Sequence, residues 1–355
     1  MNRDTLIKAV CFDYPSAVPV IYHINPSCWD CYPREELSSL VESHPLLFPQ
    51  GLPDFVQRGG PVEYAPWSRA GSPWKDPWGC IWETSQDGFI GAVTSHPLAD
   101  IQCIEDFTPP DPEHTTHWFP AGWNSAGSVK GGSIGFFDCL PSGEIGHGHT
   151  FLKLIDLFGY EQALLGLHDQ DPRILKALEM IEDFNLGLVE RFITRAEVEW
   201  LGYAEDLGMQ QGPLISPDLL RKWILPSYQR IMEPAKEHGI IVHMHSDGDI
   251  KALAEDLLTL PIDVLNIQDL VNGLDWIEAS LKGKVALDID IDRQHITPWE
   301  TPDEVRKYLL HLLRKFSDPA GGLIITYGLY PGTPLANAEA IMDVLEEAAG
   351  GRLRW

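Results

Sequence analysis

Two histidines and two aspartates crowd into seven residues, His243-Met244-His245-Ser246-Asp247-Gly248-Asp249. They follow Gly239-Ile240-Ile241-Val242, a short apolar run of the kind that forms a buried parallel strand. The polar groups therefore gather where a strand ends and a loop begins. Imidazole and carboxylate together hold a divalent metal or move a proton. His245 and Asp247 are the candidates for that work, as metal ligands or as an acid–base pair, and His243 is a further candidate ligand. The plainer reading places His243 in the core and makes Asp249 the cap of a helix over 249–259.

Other strand-like segments end in the same way. After 196–202 come Glu205 and Asp206, and Asp206 is the candidate to face a substrate. After 263–267 comes Gln268. The run 284–291 carries Asp288 and Asp290, with Asp292 next at the same spacing of two, which puts the three on one face of an extended chain. Asp290 is a candidate catalytic group, Asp288 reads as a buried helper, and Asp292 as a local cap. After Leu323–Thr326 come Tyr327, a candidate proton donor, and Tyr330, a candidate substrate contact. In Gly146-His147-Gly148-His149 the glycines point to a mobile loop rather than a metal site, with His149 able to reach a substrate. Polar groups at the carboxyl ends of at least five strands would converge on one pocket if the strands close into a barrel.

The elements that must position these groups alternate regularly from about residue 150. Asp171 to Thr194 has helical spacing, with apolar Ile174, Leu178, Ile181, Leu186, Leu188 and Phe192. Ser216-Pro217-Asp218 opens a helix running toward Gly239, which Pro226 or Pro234 should kink or break. Thr301-Pro302-Asp303-Glu304 opens another. Thr333-Pro334 opens the last, which stops at Gly350-Gly351. Repeated strand–helix units imply a parallel sheet, and no Gly-rich phosphate loop follows a first strand. The expected fold is therefore an α/β (β/α)8 TIM barrel over residues 1–355, one domain with regular units in 150–355. Residues 20–150 are rich in Pro, Gly and Trp and read as an irregular elaboration over the barrel mouth. Its tryptophans, Trp67, Trp74, Trp78, Trp82, Trp118 and Trp123, either pack that cap or line an apolar pocket.

Composition narrows the partners. The chain has 355 residues, 44% of them hydrophobic, ample for a core. Its 52 acidic and 26 basic residues give a net charge of −26, which repels phosphate backbones and makes nucleic acid a poor partner. No apolar run is long enough for a membrane helix, and no secretory signal pattern stands at the start, so a cytoplasmic location is expected. All six cysteines precede residue 140 and read as free thiols. Cys28-Trp29-Asp30-Cys31 lacks partners at metal-site spacing.

The order of these segments resembles the uroporphyrinogen decarboxylase superfamily, which includes zinc-dependent corrinoid and coenzyme M methyltransferases. The resemblance runs along nearly the whole chain. It includes Asn2-Arg3, Val18-Pro19-Val20, Ser216-Pro217, Pro226-Ser227-Tyr228, His245-Ser246-Asp247-Gly248, Asn266-Ile267-Gln268, Asp290-Ile291-Asp292 and Tyr327-Gly328-Leu329-Tyr330-Pro331-Gly332-Thr333-Pro334-Leu335. It implies a (β/α)8 barrel with its active site in the mouth, and a homodimer.

The departures from that pattern are informative. The methyltransferases of this superfamily hold zinc with His-x-Cys after one strand and a second Cys after the last. Here those positions carry His245, Asp247 and Tyr327, and no cysteine follows Cys139. Such a site is harder, suiting Zn, Mn or Fe on oxygen substrates rather than thiol activation. The decarboxylases rely on an N-terminal arginine-rich motif, but here no arginine follows Val20 until Arg34. Three readings stay open. One is a metal-dependent methyltransferase- or demethylase-like enzyme acting on a small molecule, with a corrinoid protein or folate as partner. There Gln268, Asp290 and Tyr327 would orient the substrate. Another is a metal-free decarboxylase or lyase of a small carboxylic acid. The third is a non-catalytic ligand-binding barrel.

Overall fold

The computed structural model describes residues 1–118 and 139–353. Trp123 lies outside the described residues. The fold is mixed α/β. Seven strands supply its main sheet: β1 (Val20–Ile24), β2 (Ser142–Glu144), β3 (Trp200–Ala204), β4 (Ile241–Ser246), β5 (Val264–Gln268), β6 (Ala286–Asp290) and β7 (Leu323–Leu329). Seven such strands are found among the described residues where eight were expected. The stretch 20–150, expected to hold long loops and small strands over a barrel mouth, contributes a main-sheet strand near each end, β1 and β2.

The chain groups into two compact units: residues 1–69, 86–88 and 266–355 in one, 70–85 and 89–265 in the other. In the first unit the strand order is β1-β7-β6, followed by the 266–268 part of β5. β1 runs parallel to β7, with Val20 opposite Ile325 and Ile24 opposite Leu329, and β6 pairs parallel with β7 from Leu287↔Leu323 to Asp290↔Thr326. Two amphipathic helices, Pro302–Phe316 and Leu335–Ala349, pack against one another in this unit. The first starts where expected, at Thr301, and does so with a capping box, the Thr301 hydroxyl on the Glu304 amide and the Glu304 carboxylate on the Thr301 amide.

In the second unit the order is β4-β3-β2, again parallel, with Ser142 opposite Trp200 and Trp200 opposite Ile241. β3 is buried along its whole length, as a strand covered on both faces must be. It begins later than the expected 196–202, because Glu197 takes a positive φ of 50° and turns the chain before the ladder starts. Helix α1 (Phe151–Phe158) follows β2, and α2 (Pro172–Thr194) precedes β3. Asp171 caps α2 by accepting from the Arg173 amide, and Ile174, Leu178, Ile181, Leu188 and Phe192 form its buried stripe. The helix after Ser216 is interrupted where proline demands it. Pro226 has no N–H for the Lys222 carbonyl, and the chain widens into a π turn over Leu220–Ile224 before continuing as α3 (Leu225–Glu237). The helix expected over 249–259 is reduced to Ala254–Leu257, and the Asp249 amide donates to the Met209 carbonyl.

The second unit also holds a small antiparallel sheet of Trp74–Lys75, Ile81–Glu83 and Ala92–Ser95. Its tryptophans pack against each other. Trp118 stacks on Trp74 with centroids 5.7 Å apart and meets Trp82 at 4.8 Å, while Trp78 packs edge-on to Phe184 at 5.0 Å. A lysine is sealed beneath them. Lys153 Nζ lies 3.0 Å from Asp156 Oδ2 and 3.4 Å from Asp76 Oδ2, and under the rings of Trp82 and Trp118. Asp76 also accepts from the Cys80 amide and the Trp82 indole. Among the described residues no helix is long and apolar enough to cross a membrane.

Candidate functional site

The strand ends of the second unit build the site. Beyond Ala204, which sits opposite His245, β3 delivers Glu205 and Asp206 as consecutive residues. Beyond Glu144, β2 delivers His147 and His149. β4 delivers His243 and His245 from one face, followed by Asp247. Backbone bonds fix the three ends together: Glu205 N to His245 O at 3.0 Å, Gly148 N to Ala204 O at 2.8 Å, and Gly208 N to Asp247 O at 3.2 Å. Gly208 and Gly248 touch backbone to backbone; a Cβ on Gly248 would fall 2.2 Å from the Gly208 carbonyl carbon. No other residue permits that approach.

Asp206 is the hub. Its Oδ1 stands 3.3 Å from His147 Nε2, 3.3 Å from His245 Nε2 and 3.1 Å from the Asp247 amide nitrogen that donates to it. One ligand atom each from His147, Asp206 and His245 lies within 4.8 Å of the others. Burial alone would raise the Asp206 pKa, but the bonds to His147 and His245 outweigh it and hold the carboxyl far below its ordinary range. Burial likewise pushes His147 down, and Asp206 more than reverses it, so the imidazole is a stronger base than usual. Asp247 Oδ1 lies 3.7 Å from His245 Nε2, is itself buried, and has no hydrogen-bond partner. Glu144, its pKa raised by burial, faces the charges of His147, His245 and His243.

Behind these groups is a sealed polar layer. Glu205 is fully buried and accepts at Oε1 from the Thr150 and Leu152 amides, both at 2.8 Å, and at Oε2 from the Tyr228 hydroxyl. Burial lifts its carboxyl to about 7. His149 is fully buried, its Nδ1 2.6 Å from Thr150 Oγ1 and its ring against Tyr203 and Tyr228. Burial drops its imidazole to about 3. Asn185 links this layer to His117, which accepts the Trp78 indole N–H at Nδ1 and so presents an Nε2 proton to Asn185.

The expected site residues thus divide. His245, Asp206 and Asp247 come together. His243 does not join them: it is 5% exposed and its ring packs 5.2 Å from that of Trp200, which is the core placement given as its plainer reading, and the third member of the cluster is His147. His149 is enclosed by tyrosines instead of facing a substrate. Gln268, Asp290, Tyr327 and Tyr330 belong to the first unit. There Asp290 pairs with Arg293 at 2.6 Å, and Arg293 lies over the Tyr330 ring at 5.1 Å. Tyr327 is fully buried with its ring 5.3 Å from that of Tyr22. Asp288 accepts from Thr326, and Asp292 caps the 294–296 turn, as their sequence positions suggested. Sequence reasoning undervalued His147 because β2 is three residues long and contains glycine. Recognising 142–144 as a strand would have put His147 at a strand end.

A family model for uroporphyrinogen decarboxylase matches residues 155–348, more than half of the chain. The chain belongs to the uroporphyrinogen decarboxylase family. The match takes in Asp206, His245, Asp247 and Tyr327, but His147 lies ahead of it. Among solved structures, a methyltransferase from Methanosarcina mazei is similar over 97% of each chain, with a TM-score of 0.60 and 14% identity. A B12-independent methionine synthase from Shewanella sp. W3-18-1 covers 59% of this chain and 61% of its own, with a TM-score of 0.40 and 13% identity. No curated protein matches. In this chain the first arginine after Val20, Arg34, donates to the carbonyls of Trp29 and Gly60 and pairs with Asp30.

Proposed function

We propose that this protein is a metal-dependent methyltransferase- or demethylase-like enzyme of the uroporphyrinogen decarboxylase family, acting on a small molecule. The observation that carries this reading is the convergence of His147, Asp206 and His245. Two imidazoles and a carboxylate, with Asp247 alongside, are a donor set for Zn, Mn or Fe(II) rather than for a thiolate-bound soft ion. The buried, unpartnered Asp247 Oδ1 is what a further ligand or a metal-bound group would satisfy. His147, Asp206 and His245 would hold the ion. A divalent ion bound there supplies Lewis acidity toward a substrate oxygen or a water. Asp206 keeps both imidazoles aimed at one point, and the Asp247 amide holds Asp206 in turn. Closure of the strands into a (β/α)8 barrel, with Gln268, Asp290, Tyr327 and Tyr330 orienting the substrate and a corrinoid protein or folate as one-carbon partner, belongs to the same reading.

A second reading draws on the same contacts. With no metal, Asp206 and His245 at 3.3 Å form a proton-transfer pair of the kind a decarboxylase or lyase needs. The deciding experiment is metal analysis of the protein purified without a chelator or a metal-binding tag, beside His147→Ala, Asp206→Ala and His245→Ala. About one equivalent of metal, lost in each variant, supports the transferase reading. A protein that takes up no Zn, Mn or Fe(II) on incubation removes it and leaves the proton-transfer pair.

A further inference from the structure

Glu205 and Asp206 are neighbours in sequence with opposite outlooks. Asp206 faces the two histidines. Glu205 turns the other way, into the protein, and is completely buried. Its three bonds join three elements: the end of β3, the start of α1 through the Thr150 and Leu152 amides, and α3 through Tyr228. Helix α1 has no cap of its own, since Thr150 makes no side-chain cap bond. Glu205 performs that duty from another strand, satisfying two helix N-terminal amides with one oxygen. The loop so anchored is the one that carries His147, three residues before Thr150.

We infer that Glu205 is a positioning residue for the donor set, fixing His147 against Asp206. The reasoning is geometric. His147 reaches Asp206 from a loop whose glycines, Gly146 and Gly148, sit at φ of 119° and 72° and lend it little stiffness. The loop is tied by the Gly148–Ala204 backbone bond, by the Trp118 indole on the His147 carbonyl and the Asn185 amide on the His149 carbonyl, and by the Glu205 clamp on the residues that follow, which alone among the described residues fixes the backbone at the start of α1. Without the clamp, the start of α1 loses its acceptor and His147 loses its fixed distance. Outer groups that orient metal ligands typically tune affinity 10–100-fold.

This inference rests on the metal-centre reading, and its test separates the two. Glu205→Ala removes the clamp. Glu205→Gln keeps an acceptor oxygen for the two amides and the shape of the side chain. Leu188→Ala, a buried core truncation on α2, serves as a variant of reduced stability with the clamp intact. Titrating each metal-free protein with Co(II), read by its visible absorption spectrum, should give about 10–100-fold weaker binding and an altered spectrum for Glu205→Ala. Glu205→Gln should recover binding to within about threefold, and Leu188→Ala should match the parent protein. Crystal structures of the metal-free parent and Glu205→Ala supply a readout that needs no metal. His147 Nε2 should leave hydrogen-bond range of Asp206 in the variant. An unchanged 3.3 Å separation, or equal weakening in Leu188→Ala, overturns the inference. Absence of Co(II) binding in the parent counts against the metal centre, and the structural comparison then decides the positioning role by itself.

Discussion

Replacing Lys153 with methionine should be among the most damaging conservative changes in the second unit. Methionine fills the lysine stem, so no large cavity results. What disappears is the ammonium between Asp156 and Asp76 at 3.0 and 3.4 Å. At an effective dielectric of about 20, each contact is worth about 5 kcal/mol. The cost of burying the ammonium cancels much of that. Breaking such a pair from one side typically destabilises by about 3–5 kcal/mol, because charge is left uncompensated. Loss of the cation from the faces of Trp82 and Trp118 adds about 1 kcal/mol. Asp76 keeps its bonds from the Cys80 amide and the Trp82 indole, so Asp156, which loses its cation, bears the larger penalty. Burial already raises the Asp156 carboxyl in the presence of the lysine; without it the shift grows. A carboxyl with a raised folded pKa binds protons more readily in the folded state than in the unfolded one. Its penalty is therefore greatest at neutral pH and shrinks as the pH falls toward that of an ordinary aspartate. The assay is urea unfolding at pH 7 and pH 5, followed by tryptophan fluorescence, with Lys153→Met/Asp156→Asn beside the single variant. The double variant should recover most of the loss. A single-variant loss below about 1 kcal/mol at pH 7, or one that deepens at pH 5, would refute the reasoning.

Other consequences can be checked on the same material. Gly248→Ala places a Cβ 2.2 Å from the Gly208 backbone at a φ of +80°, so it should unfold the 247–249 turn at a cost of about 2–4 kcal/mol and weaken metal retention as well; retention of parental melting temperature and metal content together would contradict it. His149 is buried neutral with its pKa near 3, while the unfolded chain takes up that proton below about 6.5. Stability should therefore fall as pH drops from about 6.5 toward 3, and His149→Phe should flatten that slope; an unchanged slope counts against the burial argument. Glu205 acts with the opposite sign. Its carboxyl near 7 makes the folded state the better proton acceptor, so its contribution is lost as pH rises from about 4.5 through 7, and Glu205→Gln should remove that loss in denaturation series above pH 5.

Much of the fold was legible in the residues. The helix starts at Asp171, Ser216 and Thr301 and the interruption near Pro226 declare themselves, because each is a local matter of a few neighbouring residues. β4 and its polar end were equally plain. The site was only partly readable. Asp247 and His245 sit on one short segment, but their partner His147 is nearly a hundred residues earlier, after a strand too short to show a period. His243 had the right spacing for a ligand, and nothing in the sequence says that Trp200 takes its ring. The sequence favours Asp206 over Glu205 as the outward-facing acid, but assigns Glu205 no duty of its own. Only the packing of α1 and α3 reveals that one is sealed and the other aimed at the histidines. The failures are all of one kind, since long-range partners decide what a strand-end side chain does.

The grouping of the chain carries a consequence for how the molecule is made. His147, Asp206, His245 and Asp247 all belong to the unit that is nearly continuous in sequence, 89–265 with the short piece 70–85. The other unit needs the first and last parts of the chain at once, since Val20 pairs with Ile325. Closing so long a loop is slow compared with local packing. During synthesis the four polar groups can therefore meet before residues 266–355, which complete the first unit, have all been made. On the proposed metal-centre reading, ion capture would then be an early event that stabilises a half-made molecule.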